Sequence, residues 1–247
     1  MAAGGIPWLR ICGALLGLWV AAGPLHAEPL RLNSGVGAPY FLPDKKGFLD
    51  LLVPEVFRRI GVVAEAAQYS ASERAMINAN NGIDDCVAMR IKGLEKDYPN
   101  LVRIDEKVID NEFVAYASQV QFATTGFDTL RKHHVAYIIG WKAFEPVLPP
   151  GDSVTLAKDS AQLFSLLESN RTDVILFERW QGAYILRERG IKAHLLWPPL
   201  VSTEMFMYLH ARHAHLAEPA ALALRAMKAD GSYHRIAAQT LPGFGRQ

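Results

Sequence analysis

The strongest constraint on the fold is an order of elements that occurs twice. Between Leu30 and Met89, short apolar runs alternate with amphipathic stretches: "LRLNSG", "FLDLLVPEVFRRIG", "VVAEAAQY", "SASERAMINANNG" and "DCVAM". Runs of four or five apolar residues bounded by turn residues predict buried strands, and apolar positions three and four apart predict helices. In the second stretch Leu52, Val56, Phe57 and Ile60 share one face, and Gly61 supplies a stop. Ser70 or Ser72 can cap the next helix, and Asn81-Gly82 can end it. Strand, helix, strand, helix, strand implies a mostly parallel sheet covered by helices.

The order then restarts. "HVAYIIG" predicts a strand, "WKAFEPVL" a short helix, "SVTLA" a strand, "DSAQLFSLLESN" a helix capped by Asp159 or Ser160, "DVILF" a strand, "WQGAYILRERG" a helix and "AHLLW" a strand. "EFVAYASQV" lies between the two sets and "STEMFMYLHARH" after the second. Both read as strands able to link two lobes. The end of the chain is helical, with Pro219 in a first turn and Gly231 at a stop. The expected architecture is α/β, two doubly wound lobes with a ligand cleft between them, near the carboxyl ends of parallel strands. Residues 28–115 form the first lobe in this reading, 116–201 the second, and 202–247 the return to the first.

Composition removes several function classes. The chain has 247 residues, half of them hydrophobic, and a formal net charge of +1. It is therefore neither disordered nor strongly basic, and a nucleic-acid partner is not expected. Residues 1–27 have the order of a cleavable signal peptide: Arg10, an apolar run from Ile11 to Ala22, a break at Gly23-Pro24 and a small residue, Ala27, before Glu28. Loss of that leader removes Cys12, so Cys86 is left as a lone thiol and reads as a small core residue. His210, His213 and His215 lie close together without a carboxylate or cysteine at ligand spacing, and no metal is expected. "GVGAPY" lacks the third glycine of a dinucleotide fingerprint, and no cofactor is expected.

Four stretches together resemble the periplasmic solute-binding proteins of the amino-acid ABC transporter type, which share the type 2 periplasmic-binding fold. "APYFLPDKKGFLDLLVPEVFRRIG" looks like the family's opening pattern of Pro-aromatic, Gly-Phe and Asp before a helix. "NNGIDDCVAM" looks like its G-x-x-D, with Asp85 at the aspartate. "LESNRTDVILFER" resembles the second lobe's L-x-x-G-x-x-D-x-x-x-x-D, with Asn170 in place of the glycine. "MKADGSYHRI" looks like the closing element.

The resemblance implies a periplasmic, non-enzymatic receptor for a small polar solute, partnered by an ABC permease and its ATPase. It assigns Glu178 to a ligand ammonium and Tyr40 to a wall of the cleft, and brings Arg90 and Lys92 to the same cleft. Gly140 and Trp141 follow a strand, where backbone N–H groups can meet an anion. The family's T-x-x-R, whose arginine holds a carboxylate, is missing from "GLEKDYPNLVRI". Either Arg90 takes the anion, as its planar fork allows, or the ligand is not a standard α-amino acid.

Plainer readings fit the same residues. Glu178-Arg179 can be a solvated pair at a helix start, Tyr40 can pack at a strand–helix corner, and Arg90 can pair with Asp84 or Glu95 on the surface. Asp85 reads as a structural turn acid, and Trp141 can be a wall residue with no specific role. Two rival functions stay open: a dehydratase-like enzyme on the same fold, with Glu178 as general acid or base, and a receptor reporting to a membrane sensor kinase.

Overall fold

The structure, a computed structural model, describes Met1 and residues 28–69, 72–141 and 143–245. The expected leader at 1–27, with Cys12, and the Ser70 cap lie outside the described residues, Met1 apart. The first lobe begins with β1 (Leu30–Ser34), α1 (Phe48–Arg58), β2 (Ala64–Gln68), α2 (Ser72–Asn80) and β3 (Cys86–Ile91). Two further strands, β4 (Leu101–Arg103) and β5 (Ile109–Ala117), lead to the second set. That set is β6 (Val135–Ile138), β7 (Val154–Ala157), α3 (Ser160–Glu168), β8 (Val174–Glu178) and α4 (Arg179–Arg189). A single long strand, β9 (His194–His210), then covers both "AHLLW" and "STEMFMYLHARH", and α5 (Ala217–Ala229) and α6 (Ser232–Thr240) close the chain.

The strand order is β2-β1-β3-β9-β5-β8-β6-β7, with β4 on β9. Each lobe contributes three parallel strands, β2-β1-β3 and β8-β6-β7. The antiparallel strands β5 and β9 join them. β9 pairs with β3 through residues Met205–Leu209 and with β5 from Met205 back to His194, while β5 pairs with β8 through Phe113–Ala117. The core follows this division. One apolar cluster packs Leu32, Phe48, Leu52, Phe57 and Leu224 in the first lobe, and another packs Val114, Tyr116, Leu163, Phe164 and Ile175 in the second.

The aspartates of the two G-x-x-D-like stretches do the same job in each lobe. Asp85 Oδ2 accepts the Arg31 N–H at 2.8 Å, tying the start of β3 to β1. Asp173 Oδ2 accepts the His134 N–H at 2.8 Å, at the start of β8 beside β6. Asn170 sits in the left-handed region at φ 53°, just past the end of α3. That conformation is the one glycine supplies at a helix C-terminus, and asparagine is among the few residues that tolerate it. Cys86 is fully buried in the first-lobe core, and burial pushes its thiol well above the usual range.

One expected element, the helix at 141–148, is not formed among the described residues. Residues 143–147 are a run of turns, in which Phe144 N–H donates to Trp141 O (2.9 Å), and Leu148 N–H donates to Phe144 O (2.8 Å). Pro146 has no N–H and disfavours helix at the residue before it, so this short stretch cannot complete a helix. Among the described residues no helix is long and apolar enough to cross a membrane.

Candidate functional site

The Pro-aromatic, Gly-Phe and Asp pattern of the first lobe is one packed unit that positions Tyr40. Phe48 N–H donates to Pro39 O (3.0 Å) and Leu49 N–H to Tyr40 O (2.9 Å). A Cβ on Gly47 would lie 2.7 Å from the Tyr40 carbonyl carbon, so a side chain there would force the turn apart. Asp50 Oδ2 accepts the N–H groups of Gly47 (3.0 Å) and Leu42 (2.9 Å), which fixes the start of α1. The Tyr40 ring is fully buried edge-on to Phe48, at 6.2 Å between centroids.

From this position the Tyr40 hydroxyl donates to Glu178 Oε1 over 2.9 Å, joining residues 138 apart in sequence and in opposite lobes. Glu178 ends β8 and caps α4: its Oε2 accepts the Gln181 N–H at 2.8 Å. A carboxylate stands where the buried strand ends because the next residues start a helix whose first N–H groups need an acceptor. Glu178 is nonetheless only 3% exposed. Burial pushes its carboxyl up to about 7, against the opposing effect of the Gln181 and Trp180 N–H groups and the Tyr40 hydroxyl. Burial, and then the Glu178 charge, raise the Tyr40 hydroxyl well above its ordinary range, so tyrosine is the donor.

The solvated-pair reading of Glu178-Arg179 is therefore replaced. Both side chains are buried and each has its own partner. Arg179 Nη1 donates to Glu112 Oε2 on β5 at 2.6 Å, and its guanidinium lies over the rings of Trp180 (4.2 Å) and Trp197 (5.0 Å). Glu112, Trp180 and Trp197 were not singled out from the sequence, because their meeting depends on how β5, α4 and β9 converge. The adjacency of Arg179 to Glu178 was the one local signal.

Trp141 forms an aromatic wall beside the same strand. It stacks on Phe177 at 5.1 Å and meets Phe113 edge-on at 5.2 Å. The backbone N–H groups at 140 and 141 are taken by the chain itself: Gly140 donates to Glu145 Oε1 (3.1 Å) and Trp141 to Ile138 O (3.2 Å). The anion at this corner is thus an internal carboxylate.

Arg90 follows an irregularity in β3, where Met89 has φ 56°. It is buried, with Nε on Met76 Sδ (3.1 Å) and Nη1 on Met89 O (3.1 Å), and burial lowers its guanidinium to about 10. The described contacts of Arg90 do not include Asp84 or Glu95. Asp84 instead meets Asn33, Tyr69 and Arg31, and Glu95 faces Arg103. Lys92 is exposed just beyond β3. The structure thus joins Tyr40 to Glu178 and packs Trp141 on Phe177, the residue before Glu178, while the described contacts of Arg90 and Gly140 lie elsewhere. Among the described residues no group of three His, Cys, Asp or Glu side chains is arranged to hold a metal ion. His213 lies 2.7 Å from Asp85, whose Oδ1 also pairs with Arg212.

No family model matches the chain. An uncharacterized protein of Shewanella oneidensis is 28% identical over 153 residues, spanning 59% of this chain and 58% of that relative. Among solved structures, the open form of substrate-binding domain 2 of Lactococcus lactis GlnP superposes with a TM-score of 0.70 at 15% identity, covering 85% of this chain and 94% of that one. The GluR0 ligand-binding core from Nostoc punctiforme, in complex with L-glutamate, gives 0.64 at 17% identity, with 86% and 99% covered. A histidine kinase sensor domain with similarity to periplasmic binding proteins gives 0.65 at 17% identity, with 87% and 96% covered. With its two lobes, two joining strands and these superpositions, the chain has the type 2 periplasmic-binding fold.

Proposed function

We propose that this chain is an exported receptor that captures a small polar solute, an amino acid or related carboxylate, for an ABC permease and its ATPase. The supporting observation is Glu178: a buried carboxyl between the lobes, hydrogen-bonded to a tyrosine hydroxyl and to backbone N–H groups. A buried carboxylate is stabilised most by a cation, and a solute ammonium would supply one. In this reading Trp141, backed by Phe177, supplies an apolar wall of the cleft, and Arg90 an anion clamp on the first lobe. The leader expected at residues 1–27 then exports the receptor to the periplasm.

The test is a thermal-shift panel on residues 28–247 with amino acids, polyamines, dicarboxylates and aromatic acids. A solute at a hundred times its Kd adds about 2.7 kcal/mol, which raises Tm by roughly 5–10 °C for a chain of this size. A panel without a shift removes the receptor reading.

The likeness to a histidine kinase sensor domain favours a second reading, in which the bound solute is reported to a membrane kinase. Genes for a permease and ATPase beside this one support transport, and a kinase gene supports sensing. Dehydratase-like turnover would instead consume the solute, and recovery of the bound solute unchanged separates binding from catalysis.

A further inference from the structure

Tyr40 and Glu178 belong to opposite lobes, and their hydrogen bond runs directly from one side chain to the other. Tyr40 is anchored in the first-lobe core by Phe48, which packs in turn on Tyr233 of α6. Glu178 is anchored in the second lobe by its place in β8, paired with Phe113 of β5, and by its cap on α4. Neither side chain can follow the other if the lobes part, so this bond breaks on opening. α4 also carries Trp180 across, buried in the first-lobe core cluster and 5.8 Å from Phe244, a contact that is apolar and without a directional requirement.

We propose that the Tyr40–Glu178 hydrogen bond is a latch that holds the lobes together before solute binds, and that the solute enters by replacing the tyrosine hydroxyl on Glu178. The second half rests on the receptor reading above; the first half rests on the fold alone.

The latch also responds to protons. The groups facing Glu178 are the hydroxyls of Tyr40 and, from β5, Tyr116, with the Tyr233 hydroxyl behind Tyr40. From α4 comes Arg179, whose charge is engaged by Glu112. Closure therefore buries the Glu178 charge with the Tyr40 hydroxyl, two backbone amides and the Gln181 side chain as its partners, none of them a cation. A protonated Glu178 is buried at little cost, whereas an ionised one gains from the water that opening admits. Closure without solute is favoured at low pH and weakens as pH rises through about 7.

The test measures lobe separation with no solute present. Lys96→Cys and Lys158→Cys place spin labels on exposed residues beyond the carboxyl ends of β3 and β7, while the buried Cys86 stays unlabelled. By double electron–electron resonance, the parent chain should give a short distance at pH 6 and gain a longer one at pH 8. Tyr40→Phe, which removes only the hydroxyl, should give the longer distance at both pH values. Glu178→Gln, which keeps an acceptor but cannot ionise, should hold the short distance at both. A parent chain already open at pH 6, or a Tyr40→Phe chain with the parent's distances, overturns the latch. Should Tyr40→Phe fail to fold, Glu178→Gln decides: a pH response like the parent's overturns the proposal, and its loss supports it. A silent solute panel with an intact latch fails the receptor reading alone. A solute hit with distances indifferent to Tyr40→Phe fails the latch alone.

Discussion

Arg179 reaches from the first turn of α4 to Glu112 on β5, with 2.6 Å between Nη1 and Oε2, and both side chains are nearly removed from water. An ion pair in that setting is weakly stabilising as a pair and costly to split, because the survivor is a buried uncompensated charge. Glu112→Ala should therefore lower stability by about 3–5 kcal/mol, measured by urea unfolding. A loss within the range of a surface pair, below about 1 kcal/mol, would mean that Arg179 finds water or another partner.

Glu178 should make stability fall as pH rises. Its carboxyl is raised in the folded chain, from 4.5 to about 7, so the unfolded chain ionises first. The group costs nothing below pH 4.5, and its penalty grows between 4.5 and 7 to about 3 kcal/mol, at 1.36 kcal/mol for each pKa unit. Relative to the parent chain, Glu178→Gln should gain that amount between pH 4.5 and pH 8 in urea titrations. A difference between the two chains that does not change with pH would rule this out.

Gly182 in α4 leaves the space that Tyr116 fills. A Cβ there would lie 2.8 Å from both Cζ and Oη of the buried ring. Gly182→Ala should cost about 1–3 kcal/mol through overpacking, although alanine is the better helix former. Pairing it with Tyr116→Leu should recover part of the loss, and strictly additive losses in a double-mutant cycle would place the strain elsewhere.

Asn170 carries a backbone conformation that most side chains resist. Asn170→Ala should lower stability by about 1 kcal/mol, and Asn170→Gly should leave it level or raise it slightly. Thermal melts of the two variants that cannot be told apart would remove the left-handed constraint.

Arg90 provides a check on the receptor reading. With a solute identified by thermal shift, Arg90→Ala should weaken affinity by roughly 10- to 100-fold, the worth of a hydrogen bond to a charged group. Titration calorimetry reads this directly. Unchanged affinity in a folded variant would take Arg90 out of the solute site and leave its bonds to Met76 and Met89 as structural.

The sequence by itself determined the strand–helix order, the core face of α1, the structural duty of Asp85 and the place of Glu178 at a strand end. Each depends on periodicity or on neighbours a few residues away, and short-range sterics and hydrogen bonding settle such features. Residues 143–147 show the limit of that reading, since the short helix expected there is replaced by turns around Pro146. Only the tertiary structure decided what Glu178 meets. Its helix-capping bond is local, but the Tyr40 hydroxyl arrives from 138 residues away, once β5 and β9 have set one lobe against the other. The same convergence buries Arg179 against Glu112 and two tryptophans, where the sequence alone allowed a solvated pair. Burial sets the cost of a charge, and burial is a property of the assembled lobes that no stretch of sequence carries alone.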